Sequence, residues 1–85
     1  MGLKDLPVAK GARHVSAFEH AGWTCVRIRG SHHILERDGV DAHLSVPCSR
    51  KDLSRKLLSG LIADAGMTED EYLAHFHRRV PKDAP

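Results

Sequence analysis

The segment Arg27-Ile28-Arg29-Gly30-Ser31-His32-His33-Ile34-Leu35 decides how this chain is read. Up to Arg29 the residues alternate with a period of two, with Thr24, Val26 and Ile28 on one side and Arg27 and Arg29 on the other. That is the pattern of a half-buried strand carrying arginines on its open face. Gly30-Ser31 interrupts it as a turn, and His32 to Arg37 reads as a second strand. Ile34 and Leu35 are adjacent, so alternation leaves open which histidine points inward. Two imidazoles at the mouth of a turn, set between arginines, form the most chemically suggestive spot in the chain. An ordinary histidine pKa of ~6.5 allows proton exchange near neutral pH.

Working outward, Asp38-Gly39 has the composition of a type I′ turn, in which both central residues take positive φ. Ala42 to Val46 follows as a third strand with Leu44 and Val46 on one face, and Pro47 ends it. Upstream, Ala12, Val15, Phe18 and Ala21 recur at three-residue steps along one face of a helix that Gly22 closes. Gly11 is the one available cap for its start, and Met1 to Lys10, with Pro7, reads as an extended lead-in. Downstream, Cys48 to Leu53 is a short basic connection. Ser54 then caps a helix whose Leu57, Leu58, Leu61, Ile62 and Ala65 form an apolar stripe ended by Gly66. Thr68-Glu69-Asp70-Glu71 is a capping box, with Met67 and Tyr72 as its hydrophobic staple. It opens a last short helix using Tyr72, Leu73 and Phe76, and beyond Arg78 the tail is expected to fray.

The order is helix, three antiparallel strands, helix and short C-terminal helix, which predicts an α+β fold of two layers with the helices on one sheet face and the other face free. One domain spans residues 1–85, with an ordered core over about 6–78. At 85 residues the core is necessarily thin. Charged residues at 28% and hydrophobic ones at 41% describe a globular domain and not a disordered tail. Two cysteines, Cys25 and Cys48, are too few for a disulfide framework and read as structural thiols. With no apolar signal-like region and no run of ~18 apolar residues, a cytoplasmic protein is the expectation.

A net charge of +2 decides nothing by itself. Its distribution is more informative. Arg27, Arg29 and Arg37 flank the histidine pair, while Arg50, Lys51, Arg55 and Lys56 crowd the start of the second helix, the footprint expected of a phosphate binder. RNA carries its own nucleophile, the 2′-OH. Its cleavage therefore needs a group to take the hydroxyl proton, an acid for the leaving 5′-oxygen, and cations for the charge on phosphorus. Imidazole and arginine are suited to those tasks.

Gly22-Trp23, Val26 to His33, the Asp38-Gly39 turn, Val46-Pro47, Lys51-Asp52-Leu53 and Ala65-Gly66-Met67-Thr68 together resemble the HicA family of toxin–antitoxin systems, over about Leu6 to Phe76. The specific part is Gly-Ser-His-His after an Arg-x-Arg strand. The resemblance implies a double-stranded-RNA-binding-like fold and a small bacterial toxin that cleaves messenger RNA, silenced by a HicB-like antitoxin. It implies a catalytic histidine at His32, with His33 in reserve, and a turn shaped by Gly30 and Ser31. No metal or other cofactor is implied. Many relatives carry Gly-Thr-Leu-Arg where this chain has Lys56-Leu57-Leu58-Ser59. An arginine that could grip phosphate is thus missing, and RNA contact falls to Arg27, Arg29, Arg50, Lys51, Arg55 and Lys56.

Other readings stand beside this one. A non-catalytic RNA-binding module of the same fold would use the histidines only for hydrogen bonds, and a purely structural interaction protein would bind no RNA. His33, His43, Cys48 and His75 include zinc-ligand types but lack a recognisable Cys/His spacing. His75 and His77 read as exposed helix residues. Trp23 could stack on a base, yet at a helix-to-strand junction it reads as core. A partner that silences the site is expected to cover the basic face with acidic residues, and the free chain is expected to be monomeric.

Overall fold

The computed structural model describes residues 6–78. The elements are α1 (Gly11–His20), β1 (Thr24–Arg29), β2 (His32–Glu36), β3 (Leu44–Pro47), α2 (Arg55–Asp64) and α3 (Glu69–His77). The strands form one antiparallel sheet in the order β1-β2-β3. Leu35, Leu44 and Val46 on one sheet face are buried with Val15 and Phe18 of α1, Leu58 and Ile62 of α2, and Tyr72 and Phe76 of α3. The fold is the expected two-layer α+β arrangement. Residues 79–85, where fraying was expected, lie outside the described residues, as do residues 1–5 of the lead-in.

The caps explain why the helices start where they do. Leu57 N donates to Ser54 Oγ at 3.1 Å. Thr68 N donates to Glu71 Oε1 at 2.8 Å while Glu71 N donates to Thr68 Oγ1 at 3.1 Å, the complete capping box. Among the described residues no side chain caps α1, which begins after Lys10. Its start is set by packing instead: Gly11 is buried, and a Cβ built there would lie 1.9 Å from the Pro47 carbonyl oxygen. The lead-in also belongs to the core. Leu6 is 1% exposed, and Leu53 N donates to Ala9 O at 2.8 Å.

Several expectations fail locally, each for a physical reason. In β1, Cys25 pairs with Leu35 and Arg27 with Ile34, leaving Val26 as the extra residue of a bulge. The bulge resets the phase, so Cys25 takes the helical side and Thr24 and Val26 are exposed. Arg27 and Arg29 keep the open face. In α1 the inward face is Gly11, His14, Val15, Ala17 and Phe18, and Ala12 is exposed. Three-residue steps drift around a 3.6-residue helix, and the i, i+3, i+4, i+7 set is what becomes buried. In α2, Leu57 is 42% exposed, while Leu58, Leu61, Ile62 and Ala65 are buried. At Asp38-Gly39 only the glycine has positive φ, +81°, and Val40 N donates to Arg37 O at 3.1 Å. That is the φ pattern of a type II turn, not type I′. The strands it joins pair again only at Leu35 and Leu44, and β3 runs to Pro47. Trp23 is 2% exposed, so it serves the core and is unavailable for base stacking.

His14 is fully buried, with Nδ1 2.5 Å from Tyr72 Oη. Burial raises the phenol pKa, so the hydroxyl keeps its proton and shares a hydrogen bond with the ring, and among the described residues His14 Nε2 has no partner. Burial first, and then the Arg13 charge, push the imidazole pKa down to about 4, with Asp52 pulling weakly the other way. The folded state thus holds a neutral ring where the unfolded chain protonates near 6.5. Stability present above that pH is lost as pH falls towards 4. By linkage the loss at pH 4.5 is roughly 2.5 kcal/mol. Urea unfolding of the wild type at pH 7.0 and 4.5 is expected to show this difference, and His14→Phe is expected to flatten it.

Candidate functional site

Gly30 and Ser31 make a two-residue turn closed by the Arg29–His32 pair. Gly30 has φ +59° and Ser31 does not share it, the type II′ pattern that suits the right-handed twist of a hairpin. Among the described residues nothing lies within 4 Å of a Cβ built at Gly30. Backbone conformation, not crowding, is therefore what selects glycine there.

The register separates the two histidines that alternation could not. His32 pairs with Arg29 and Pro47, and Ile34 with Arg27 and Ser45, all on the open face. His33 pairs with Ile28 and Val46 on the helical side, half-buried, with Nδ1 3.9 Å from Cys25 Sγ. His32 is exposed. Imidazole and arginine thus face solvent together at His32 and Arg29, with Arg27 two residues along the same side.

The basic loop after β3 is tied to this end of the sheet, because Cys48 N donates to Ser31 O at 2.5 Å. Arg50 and Lys51 follow within three residues and are exposed. Arg55 and Lys56 do not join them. Both lie in the first turn of α2, within the helical layer, and Arg55 Nε donates to Leu6 O at 2.8 Å. The Cys48 thiol pKa is raised by burial and by Cys25, which makes it a poor nucleophile.

A shallow groove of about 180 Å³ runs between Arg27, Arg29, Ile34, Glu36 and His43. It shares Glu36 and His43 with a larger concavity, about 630 Å³, at the far end of the same sheet, whose rim adds Arg37, Asp38 and Asp41. His43 had stood out only as a metal-ligand type. Its place on this face was legible, since it alternates with the inward Leu44 and Val46. Register puts it four residues along from His32, about 13 Å away at ~3.3 Å per residue, too far for both to serve one phosphate. Among the described residues, no group of three or more His, Cys, Asp or Glu side chains is placed to hold a metal ion, so His33, His43, Cys48 and His75 do not come together. No helix of the described residues is long and apolar enough to cross a membrane.

By fold and site the protein falls in the class of small two-layer α+β domains that present a cationic sheet face around a turn histidine. More particularly, the family model for the HicA toxin of bacterial toxin-antitoxin matches residues 11–67, more than half of the chain. The chain belongs to the HicA toxin family, and so to the toxin side of a toxin–antitoxin pairing. No curated protein matches the chain.

Proposed function

We propose that this toxin is an endoribonuclease that cleaves messenger RNA, with His32 as the proton-transferring residue. The observation carrying the reading is the His32–Arg29 cross-strand pair, exposed on the sheet face that no helix of the described residues covers. An RNA strand crossing β1 and β2 brings a phosphate to Arg29 and Arg27 and the neighbouring 2′-OH to the His32 imidazole. His32 takes the hydroxyl proton, O2′ attacks phosphorus, and the bond to the 5′-oxygen breaks. The products are a 2′,3′-cyclic phosphate and a 5′-hydroxyl end that receives a proton from water or from the imidazolium. Arginines at the phosphate stabilise the transition-state charge more than the ground state. Arg50 and Lys51 extend the cationic track beside the turn. A HicB-like antitoxin fits the same surface, bringing acidic residues to the arginines and covering His32.

The chemistry needs the substrate's hydroxyl and no metal ion. Replacing the 2′-OH by hydrogen at a mapped cleavage site is therefore expected to stop cutting at that site, and EDTA to leave cutting unchanged. Cleavage that tolerates the deoxy substitution and is lost on chelation overturns the proposal. RNA binding without cleavage of the all-ribose substrate assigns the domain instead as a non-catalytic RNA-binding module. A single histidine within reach of the phosphate is the observation that favours that second reading.

A further inference from the structure

The outer face of α2, turned away from the inward Leu58 and Ile62, carries three features for which the folded chain has no use. Gly60 sits mid-helix, where glycine is among the least favourable residues. Its φ is not positive, and among the described residues nothing lies within 4 Å of a Cβ built there. Leu57 is 42% exposed and, with Gly60 and Leu61, lines a groove of about 430 Å³ that also takes in Lys56 and Asp64. The charges run against the helix dipole as well: the first turn holds Arg55 and Lys56 and no acid, and Asp64 closes the last turn, which holds no base. Anions are favoured at a helix N-terminus and cations at its C-terminus. Among the described residues neither Lys56 nor Asp64 forms an ion pair.

We propose that this face is the interface of a homodimer, in which a second copy of the chain lays its own α2 across Gly60 in the opposite direction. The row Lys56-Gly60-Asp64 carries the assignment. Its members are four residues apart, about 6 Å along the axis, so Gly60 is the midpoint between a cation and an anion. A two-fold rotation that sets the two Gly60 positions against each other reverses the row. Lys56 of each copy then meets the partner's Asp64, in two identical pairs. Rows of i, i+4 residues packing on each other are a common mode of helix crossing, and the missing Cβ lets the two backbones approach where they cross. Opposed dipoles bring Lys56 beside the partner's last turn and Asp64 beside its first, the ends that each charge prefers. Leu57 loses its exposure in the same contact. The interface lies in the helical layer, so the sheet faces bearing His32 stay free in both copies. One short helix from each copy covers less than the roughly 1,200 Å² of a stable interface. The dimer is therefore weak, and it replaces the monomer expected from the sequence only at high concentration.

Sedimentation equilibrium of the full, reduced chain at low salt, from micromolar concentration to about 1 mM, tests this. The apparent mass of the wild type is expected to rise towards that of two chains. Lys56→Glu and Asp64→Lys are each expected to weaken association by roughly tenfold or more, because either change sets two like-charge pairs in the interface. Both reversals suit the dipole of the isolated helix, so lost association is not lost folding. Mixing the two variants in equal amounts is expected to restore association, since each copy supplies the charge that the other lacks. Gly60→Leu should abolish association without lowering Tm, because leucine is the better helix former and the position is exposed. A wild type that stays monomeric across the range overturns the proposal. So does a dimer indifferent to both charge reversals, which would place the interface elsewhere, or a mixture of the two variants that stays monomeric.

Discussion

His32→Ala is expected to lower RNA cleavage by about 10²–10⁴-fold, the usual contribution of a positioned acid–base group, while leaving the fold intact. Stability should hold because His32 is exposed and its β2 backbone pairing with Arg29 and Pro47 does not depend on the side chain. A surface change of this kind costs within about 0.5 kcal/mol. Induction of the wild type should arrest growth and fragment transcripts; induction of the alanine variant, matched in amount and in urea midpoint, should do neither. His33→Ala is the informative contrast. His33 is half-buried on the helical side against Val46 and Cys25, so its loss should appear first as reduced stability and only through that as reduced activity. If His32→Ala remains toxic with normal cleavage, the catalytic assignment is wrong. If His33→Ala abolishes cleavage at unchanged stability, the catalytic role belongs to His33.

Gly11→Ala is expected to destabilise the domain by about 3 kcal/mol, near the upper end for overpacking. Elsewhere in a helix the same change gains up to ~1 kcal/mol. Here the new Cβ meets the Pro47 carbonyl oxygen at 1.9 Å and carbon at 2.8 Å, and Cys48 Cα at 3.0 Å, all of them backbone atoms that no side-chain rotation can move aside. Either α1 lifts from the sheet or the end of β3 shifts. Pro47 pairs with His32, and the next residue, Cys48, bonds to Ser31. The disturbance is thus passed to the turn that carries the site. Urea unfolding measures the first effect, and faster amide exchange at Cys48 the second. Stability within 0.5 kcal/mol of wild type would mean that α1 does not approach β3 this closely.

Local chemistry was legible wherever one residue acts on its immediate neighbours. The Ser54 and Thr68 caps, the Glu71 partner in the capping box and the apolar stripe of α2 are determined by spacings of three or four residues. The structure reproduces them apart from Leu57. Arg27 and Arg29 were placed on the open face because they keep alternation with each other. Misreadings cluster where a distant contact intervenes. The bulge at Val26 moves Thr24 and Val26 to solvent, since only pairing with β2 reveals that a residue is extra. His14, a polar residue on which local spacing says nothing, is buried because Tyr72, 58 positions away, supplies its hydrogen bond. Arg55 Nε donates to the Leu6 carbonyl, 49 positions away, a contact that no local pattern shows.

For the candidate site the division is similar. By itself the sequence determined the two-layer order of elements, the Gly-Ser turn and the presence of arginines and histidines around it. These follow from periodicity and turn chemistry within a dozen residues. Which histidine meets solvent was a tertiary decision. Side chains in a strand alternate, so a one-residue difference in register exchanges the faces of His32 and His33. That register is held by contacts far apart in the chain: Leu35 against Leu44, Pro47 beside His32, and Gly11 under the Pro47 carbonyl.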